Sequence, residues 1–561
     1  MHKSRPAFVI LVSFSALLYM APAHADWTRF RGPNGSGIST ESTAIPLRWS
    51  PTANVKWKTE LPGPGVSCPI VAGDRIYVTC YSGYGLDRSN PGDQKDLKRH
   101  LLCIDRSSGK LLWSKTVEPA LPEDPFSGPG VPAHGYASHT PVADNDGVYV
   151  FFGKTGALAF DRDGKQRWQT NLGKESDPSK WGSASSPILY KNLLIVPATA
   201  ESEALVALDK RTGKEVWRQE AAGFGNSWST PILVEVDEDR TDLVMSVANE
   251  IWGLNPQTGQ LRWFCEGLNN RTINTSVVVD DGVMYAIGGQ RGKSVAIRVG
   301  GKGNVTKSHV VWTGSDTSSF SSPIVRDGRM YSISGSIATV IDVKTGERLD
   351  RFRLKGGRSG GGGRMGGDYS SPIMVGDKLL YLSTAGDMFV LSTGDKVEQV
   401  AVNRVTEDGE QFAATPAVSH GELFIRSNKH LYCIASLGET VSGPAIPEPS
   451  AAAVAVETDA RRGRGGGERR GGRRGGFDPA QMFERSDANK DGKLSREELP
   501  ERLRDRMERL DTDKDGSVTL EEFRANIRQA FGGGRRGGGG RGDRNPRDGK
   551  PDRPKRPKLE P

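Results

Sequence analysis

The sequence predicts an all-β, eight-bladed β-propeller followed by a small α-helical module on a disordered Gly/Arg-rich linker. Three observations predict this fold. A phrase with a Pro anchor and an apolar hairpin recurs eight times in the first 440 residues. A second phrase, which ends in Trp, follows most of these anchors. Beyond residue 440, Gly/Arg tracts enclose two acidic loops of twelve residues each.

The anchors are spaced like the blades of a propeller. They are Pro69, Pro141, Pro187, Pro231, Ser276 (in the Pro position), Pro323, Pro372 and Pro416. After a first spacing of 72 residues, which includes a polar insertion at 81–100, they are 44 to 49 residues apart. The stretch SPIVRDGRMYSI shows the alternation and Asp-Gly turn of a hairpin. Four short strands in each period of this length make one propeller blade.

The last repeat supplies only three strands. The early segment ANVKWKTEL, which contains Trp57, has the sequence of a Trp-bearing outer strand. We therefore expect it to complete the last blade and close the ring. Closure removes the exposed sheet edges that otherwise promote aggregation. The propeller is predicted over residues 26–437.

The Trp phrase carries a family resemblance. Its best copy, ALVALDKRTGKEVW, has Ala207, Asp209, Thr212, Gly213 and Trp217 at the motif positions. It resembles the PQQ-like repeat of quinoprotein-type β-propellers, over about residues 50–440. The opening DWTRFRGPNGSGIS is similar to the start of exported bacterial PQQ-like propeller proteins. The resemblance implies that the Trp packs between neighbouring blades.

The resemblance allows two functions for the propeller. Quinone-dependent alcohol dehydrogenases of this kind carry an adjacent Cys pair, which this chain lacks. A second branch, in bacterial outer-membrane protein assembly, uses the repeat as an interaction platform. We interpret the propeller as a non-catalytic binding or assembly scaffold of the cell envelope and assign no catalytic residue. A PQQ-dependent alcohol or sugar dehydrogenase-like oxidoreductase is the alternative, with PQQ as its cofactor.

The loops that precede the anchors are expected to line one mouth of the central channel. They carry Tyr136, His139, Trp181, Trp228, Phe320, Asp368, Tyr369 and Phe412. Aromatic rings and hydroxyl groups suit a planar or sugar-like ligand, because rings stack and Ser/Thr form hydrogen bonds. The simpler interpretation is that the rings fill the channel. An envelope protein and a saccharide-like ligand are both candidate partners of this face.

Residues 1–25 predict a cleaved signal peptide. They contain a basic start, an apolar run over 7–20 and the motif Ala-His-Ala at 23–25. The mature chain from Asp26 is expected to be exported, periplasmic or extracellular, and not lipid-anchored, because no Cys lies near the cleavage site. No later segment is long enough for a membrane span.

The five Cys residues leave their pairing open. They are Cys68, Cys80, Cys103, Cys265 and Cys433. Cys68 and Cys80 flank a hairpin that turns at Gly73 and Asp74, so a local disulfide and two buried thiols are equally compatible with the sequence. No Cys-x-x-Cys motif supports a zinc or thioredoxin-type site.

The net charge does not indicate a nucleic-acid-binding protein. Lys and Arg exceed Asp and Glu by 76 to 68, a formal charge of +8, and most of the excess follows residue 440. Residues 438–477 are predicted to be a disordered linker, first Pro/Ala-rich and then Arg/Gly-rich, and residues 531–561 a disordered basic tail. An anionic envelope polymer is the partner that such tracts would suit.

Two loops between these tracts, 487–498 and 511–522, match the EF-hand pattern. Calcium takes about six to eight oxygen ligands, and the pattern supplies them from positions 1, 3, 5, 7, 9 and 12. The predicted ligands are Asp487, Asn489, Asp491, Lys493, Ser495 and Glu498, and Asp511, Asp513, Asp515, Ser517, Thr519 and Glu522. Lys493 and Ser517 would contribute backbone carbonyls. Two calcium sites are therefore predicted.

The EF-hand pair is predicted over residues 478–530. Only residues 499–510 separate its loops, and Pro500 lies among them. This spacing predicts one short shared helix that begins near Pro500. The sequence leaves open whether the loops pair through Leu494 and Val518.

Overall fold

The computed structural model describes residues 26–439 except 42, 290–291 and 359–368; residue 441; residues 483–531 except 484–485, 488, 490, 500–503 and 505–506; and residues 554–561. The predicted signal peptide, nearly all of the predicted linker and most of the predicted basic tail lie outside the described residues. The chain divides into two compact units, Met1–Glu448 with Gly549–Pro561, and Pro449–Asp548.

The first unit is the predicted eight-bladed propeller. Strand β1 is Val55–Glu60. Blade 1 contains β2 (Ile70–Ala72), β3 (Arg75–Ser82), β4 (Lys98–Asp105) and β5 (Leu111–Val117), and blade 2 contains β6 (Val142–Asp144), β7 (Gly147–Phe151), β8 (Ala157–Phe160) and β9 (Gln166–Thr170). Blade 3 contains β10 (Ile188–Tyr190), β11 (Leu193–Ala198), β12 (Ala204–Asp209) and β13 (Glu215–Glu220), and blade 4 contains β14 (Ile232–Glu235), β15 (Thr241–Val247), β16 (Glu250–Leu254) and β17 (Leu261–Glu266). Blade 5 contains β18 (Val278–Asp280), β19 (Val283–Ile287), β20 (Ser294–Arg298) and β22 (Val310–Gly314), and blade 6 contains β23 (Ile324–Arg326), β24 (Arg329–Ser334), β25 (Ile337–Asp342) and β26 (Arg348–Arg353). Blade 7 contains β27 (Ile373–Val375), β28 (Lys378–Leu382), β29 (Met388–Ser392) and β30 (Glu398–Asn403). Blade 8 contains β31 (Ala417–Ser419), β32 (Glu422–Arg426) and β33 (His430–Ile434), together with β1. The short strand β21 (Gly303–Asn304) adds to blade 4.

Strand β1 closes the ring as the sequence predicts. It pairs antiparallel with β33, with Trp57 opposite Cys433. The burial pattern follows from the stacking of blades. Every residue of β11 is buried because it lies between two neighbouring blades. The outer strands β1 and β26 alternate between exposed and half-buried residues, because only one side of each faces another blade.

The α-helices described in the first unit are single turns in loops: α1 (Val131–His134), α2 (Thr199–Ser202) and α3 (Thr306–His309). Four 3-10 turns accompany them: Pro33–Gly35, Gln94–Asp96, Gly153–Thr155 and Phe224–Asn226. In the described part of the chain, no helix has the length and hydropathy needed to cross a bilayer.

Tryptophans join neighbouring blades, which confirms what the resemblance implies. The indole N–H of Trp168 in blade 2 donates to the carbonyl of Lys210 in blade 3 (3.0 Å). The ring lies over Gly213, where φ is +72° and a Cβ would be 2.6 Å from Trp168 Cδ2. Trp217 repeats the contact on Pro256 (3.1 Å). Trp57, Trp113 and Trp312 donate in the same way to Arg106, Arg162 and Val343.

A closed ring of hydrogen bonds joins all eight blades around the channel. The N–H of Thr140 donates to Ser186 Oγ, and the N–H of Ser186 donates to Thr230 Oγ1, each at 3.0 Å. The ring passes through Ser276, Ser322, Ser371 and Thr415. It closes where the Thr415 N–H donates to Cys68 Sγ (3.2 Å) and the Cys68 N–H donates to Thr140 Oγ1 (3.0 Å).

The ring corrects the predicted register of the fifth repeat. Ser276, which was expected in the Pro position, accepts the N–H of Thr230 (3.1 Å) and donates its own N–H to Ser322 Oγ (2.9 Å). Val277 therefore occupies the place of the anchor Pro. The ring residues on either side of Ser276 are each 46 residues away, so the repeat is more regular than the predicted anchors indicate.

The cysteines are thiols. All five are unpaired and buried, so the structure favours the thiol alternative over a Cys68–Cys80 disulfide. Cys68 takes the place of a hydroxyl residue in the ring, and Arg426 donates to Cys80 Sγ (3.6 Å). Burial raises the pKa of both thiols.

The segment before β1 crosses one end of the channel. Trp27 forms a bridge with Val71 of blade 1, and Ile38 forms one with Met374 of blade 7. Between them, Arg29 donates to the carbonyl of Pro231 (2.9 Å) and Arg31 to that of Pro323 (2.6 Å). The segment thus closes this end of the channel with two buried guanidinium groups.

Part of the predicted disordered tail is structured. Residues 554–561 pack on blade 4, where the Glu560 N–H donates to the carbonyl of Leu261 (2.7 Å). The prediction of disorder over 531–561 is therefore wrong for 554–561. Ionic contacts explain the difference, since Glu560 Oε2 lies 2.9 Å from Arg262 Nε.

The second unit contains the two predicted loops. Strands β34 (Lys493–Leu494) and β35 (Val518–Thr519) pair antiparallel, with Leu494 opposite Val518. This settles the question that the sequence leaves open. The helices whose bounds the structure describes in this unit are α4 (Met507–Leu510) and α5 (Leu520–Phe531). A small core joins these elements: Phe483, Leu494, Leu499, Leu510, Val518 and Phe523.

Candidate functional site

A cavity of about 180 Å³ opens on the central channel of the propeller. Phe30, from the segment that crosses the channel, lines it. It is also lined by side chains from the ring of hydrogen bonds that joins the blades, among them Cys68, Thr140, Ser186, Thr230, Ser371 and Thr415. The Ser and Thr hydroxyl oxygens of this hydrogen-bonded ring accept backbone N–H groups. Their own O–H hydrogens are therefore directed elsewhere and can donate to a ligand.

Two aromatic pairs form the walls of the cavity. Trp181 and Trp228 are stacked, with ring centroids 5.8 Å apart and planes at 30°. The indole of Trp228 is held by a hydrogen bond to the carbonyl of Gly182 (2.8 Å). Phe320 and Tyr369 form the second pair, with centroids 4.7 Å apart. The rings therefore surround a space rather than fill the channel.

A segment between blades 1 and 2 completes the wall. Helix α1 and the residues before it contribute Pro129, Gly130, Ala133 and His134. A buried aromatic cluster that includes Tyr81 and Tyr136 supports this segment. His134 is fixed on both ring nitrogens, by Ser138 Oγ and the carbonyl of Trp181, each at 2.6 Å.

A buried polar cluster borders the cavity. Ser183 Oγ lies 2.9 Å from His139 Nε2 and donates to Glu201 Oε1. All three residues are at least nine-tenths buried. Burial raises the pKa of Glu201 to about 7. Burial, with a smaller contribution from Arg99, lowers the pKa of His139 to about 3. At neutral pH the imidazole is neutral, and the carboxyl is present in both its protonated and its ionised form.

The cluster predicts opposing pH dependences. Glu201 is protonated in the folded protein and ionised in the unfolded chain between pH 4.5 and about 7, so its contribution to stability falls as pH rises. His139 is neutral when folded and protonated when unfolded between about pH 3 and 6.5, so its contribution rises. Each slope is about 1.4 kcal/mol per pH unit, and they cancel where the windows overlap.

Glu201→Gln is expected to expose the His139 slope, so that the thermal midpoint of the variant rises with pH up to about 6.5. His139→Gln is expected to expose the opposite slope up to about pH 7. Calorimetric melting curves across this range test both, with Glu203→Gln, whose side chain accepts the N–H of the half-buried Gly223, as control. Parallel profiles for Glu201→Gln and the wild type would contradict the assignment.

Buried guanidinium groups make the closed end of the channel positive. Arg29 and Arg31 donate to backbone carbonyls, and their Nε atoms have no hydrogen-bond partner among the described residues. Burial lowers the pKa of Arg29 to about 10 and that of Arg31 to about 9. Of the described residues that line the cavity, none is acidic. A ligand with acceptor oxygens suits this end.

The loops of the second unit have the geometry of cation sites. Carboxylate oxygens of Asp511, Asp513 and Glu522 lie within 4.8 Å of one another. Backbone N–H groups of Thr512 and Thr519 donate to the two oxygens of Glu522, at 2.8 and 2.9 Å, and so orient both oxygens. Asp511 Oδ1 is buried and has no hydrogen-bond partner in the described part of the unit. A calcium ion would satisfy it.

The first loop follows the same plan. Glu498 accepts the N–H groups of Asn489 (3.3 Å) and Ser495 (3.0 Å). Asp487 Oδ2 accepts the N–H of Gly492, where φ is +81°. Asp487 Oδ1, like its counterpart in the second loop, is buried without a partner among the residues described. The predicted ligands Asp491, Lys493, Asp515 and Ser517 lie in the loops, and a Lys493–Asp515 ion pair (2.9 Å) links the two loops.

The residues predicted for the channel mouth lie in different parts of the structure. Trp181, Trp228, Phe320 and Tyr369 line the cavity. Tyr136 and His139 lie beside it in the smaller polar space, and Phe412 belongs to the core. Asp368 lies outside the described residues. Sequence reasoning missed Arg29, Phe30, Arg31 and Glu201, and the one local signal was the Arg-Phe-Arg triplet before a Gly-Pro turn.

Two family models match the chain. The model described as "Outer membrane protein assembly factor BamB" matches residues 48–176, 94–222, 192–360 and 303–459. The model described as "EF hand" matches residues 480–500 and 503–527. The first covers the propeller, and the second covers both loops of the second unit.

Two polyvinylalcohol dehydrogenases are distant relatives of the chain. A polyvinylalcohol dehydrogenase from Pseudomonas sp is 23% identical over 365 residues, 56% of this chain and 49% of the relative. One from Sphingopyxis sp. is 23% identical over 280 residues, 42% of this chain and 39% of the relative. The chain spans about half or less of their length.

Similar solved structures include BamB from Moraxella catarrhalis, with a TM-score of 0.45, 13% identity and coverage of 68% of this chain and 99% of that one. A europium-containing methanol dehydrogenase has a TM-score of 0.47 at 10% identity, covering 72% of this chain and 89% of that one.

Proposed function

The chain belongs to the family described as outer membrane protein assembly factor BamB, and from this premise we propose that its propeller is a non-catalytic binding scaffold of the cell envelope. The scaffold holds one ring of a saccharide-like ligand in the aromatic cavity. The second unit binds two calcium ions through its paired loops. We further propose that the chain is exported, as its first 25 residues predict.

The aromatic cavity carries this proposal. A sugar ring presents an apolar face to an indole and hydroxyl groups at its edge. The stacked Trp181 and Trp228 rings contact the apolar face. The hydroxyl groups of the hydrogen-bonded ring that joins the blades bind the hydroxyl groups of the sugar. The buried Arg29 and Arg31 favour a ligand that brings acceptor oxygens or negative charge to the closed end.

The size of the cavity favours the scaffold over the dehydrogenase. Pockets for drug-sized ligands measure roughly 300–1,000 Å³, whereas this cavity measures about 180 Å³. One sugar ring suits that space better than a fused three-ring quinone. The relatives named polyvinylalcohol dehydrogenase support the alternative, a quinoprotein dehydrogenase-like oxidoreductase, over the part of the chain that they match.

The test pairs a binding assay with an activity assay. Purified protein is titrated with a panel of neutral and acidic monosaccharides, and separately with PQQ and calcium, while tryptophan fluorescence, quinone absorbance and dye-coupled oxidation are read. Trp181→Ala removes half of the stacked pair. Tyr190→Ala removes an aromatic ring of blade 3 that does not line the cavity, and is the matched control.

We expect saccharide binding that Trp181→Ala weakens by at least about tenfold, which corresponds to about 1.4 kcal/mol, while Tyr190→Ala leaves it unchanged. Acidic sugars should bind more tightly than neutral ones. Stoichiometric PQQ binding with dye reduction would replace the scaffold with the oxidoreductase. Equal weakening by both variants would remove the cavity from the proposal.

A further inference from the structure

The outer edge of blade 4 holds residues 554–561, which follow the calcium loops in the sequence. Within residues 554–561, the Lys555 N–H donates to the carbonyl of Ala222 (2.8 Å) and the Glu560 N–H to that of Leu261 (2.7 Å). Leu559 forms a parallel bridge with Leu261. The segment therefore contacts the end of blade 3 and extends the sheet of blade 4.

Arg556 enters a socket on this edge. Its Nε and Nη2 lie 2.8 and 2.7 Å from the two carboxylate oxygens of Glu250, whose side chain is 1% exposed. The guanidinium carbon lies 3.6 Å from the centre of the Phe264 ring, and Glu266 adds a second carboxylate. A fork-shaped cation suits two parallel carboxylate oxygens, and an aromatic face supports it.

A second contact of opposite polarity sets the direction of the segment. Glu560 Oε2 lies 2.9 Å from Arg262 Nε, and Glu560 Oε1 accepts from Asn255 Nδ2 (2.8 Å). Because the socket offers a carboxylate at one end and a guanidinium at the other, a segment in the reverse direction would bring like charges together.

Blade 4 differs from its neighbours at this edge. Trp263 donates to Asp242 Oδ2 (2.7 Å) in its own blade rather than to the next blade. Strand β21 pairs with Trp263 and Phe264, and the segment 554–561 bridges Leu261 beside them. Two short segments thus cover an outer edge that would otherwise present unpaired backbone groups.

We propose that this edge of blade 4 is a recognition site for an arginine-bearing segment, and that residues 554–561 of the same chain are its occupant. The chain between residues 437 and 554, which contains both calcium loops, is then attached to the propeller at both of its ends. Cutting the chain between the propeller and the loops should leave the two pieces associated. This inference does not depend on the ligand of the aromatic cavity.

The experiment places a specific protease site within 461–476 of the full chain and cleaves it under native conditions. Size-exclusion chromatography then shows whether the fragment that carries the calcium loops remains with the propeller. Arg556→Ala removes the guanidinium without altering the propeller. Lys558→Ala removes one positive charge from an exposed position of the same segment and is the control.

We expect the wild-type and Lys558→Ala fragments to coelute with the propeller, and the Arg556→Ala fragment to separate. A labelled peptide of residues 549–561 should bind the propeller of the cleaved Arg556→Ala protein, with at least about a tenfold loss of affinity when the peptide also carries Arg556→Ala. High salt should weaken binding. Separation of the wild-type fragment, or retention of all three fragments, would overturn the proposal.

Discussion

Glu522→Gln is expected to remove one of two calcium ions from the second unit and most of the calcium-dependent stability of its second loop. Glu522 presents two oxygens to the site, both oriented by backbone N–H groups. The amide keeps one oxygen and loses the negative charge, so the site loses its bidentate ligand. Calcium at about 100 times its dissociation constant should stabilise the wild-type site by about 2.7 kcal/mol.

Titration calorimetry measures the stoichiometry, and calcium-dependent melting measures the stabilisation. Glu521→Gln is a matched control, since it makes the same chemical change at the adjacent, exposed residue. We expect two ions for the wild type and for Glu521→Gln, and one for Glu522→Gln. Two ions bound by Glu522→Gln with unchanged affinity would show that the second loop does not use this carboxylate.

The pairing of β34 with β35 couples the two calcium loops. Leu494 and Val518 lie opposite each other between the loops and are buried in the small core. An ion in one loop therefore stabilises the strand that positions the other. We expect Glu522→Gln to weaken the remaining site in the first loop as well.

The blade count and the closure by β1 could be predicted because they follow from local, repeated patterns. The register of the fifth blade could not. Val277 replaces the anchor Pro, so NTSVVVD fits the repeat in two registers that differ by one residue. The hydrogen bonds that join Ser276 to Thr230 and to Ser322, each across 46 residues, distinguish them.

The candidate sites divide in the same way. The calcium loops are contiguous, so their ligands could be read from spacing. The closed end of the channel depends on Arg29 and Arg31 meeting carbonyls 202 and 292 residues away. Residues 554–561 have the composition of a disordered tail. Composition contains no information about their binding to a distant carboxylate such as Glu250 in blade 4.

Trp168→Ala is expected to lower the free energy of unfolding of the propeller by about 3–5 kcal/mol, as is usual for a buried Trp. The Trp168 side chain is 9% exposed, and its ring covers Gly213 of the next blade. The substitution removes this packing and leaves the Lys210 carbonyl without its donor. Trp181→Ala is the control, because its half-buried ring lines the cavity and stacks on Trp228 rather than covering a turn glycine of the next blade.

A double-mutant cycle tests whether the joint between blades 2 and 3 is specific. Gly213→Ala alone should be strongly destabilising, because its Cβ would lie 2.6 Å from Trp168 Cδ2 and φ is +72°. In the Trp168→Ala background the conflict with the indole is gone, and what remains is the backbone strain, roughly 1–2 kcal/mol, together with the contact at Thr170 Oγ1, 2.9 Å from the new Cβ. The two costs should therefore sum to more than the double variant shows. Additive costs in urea unfolding would mean that Gly213 is required for its turn alone and that the Trp168 contact contributes no specificity to the joint.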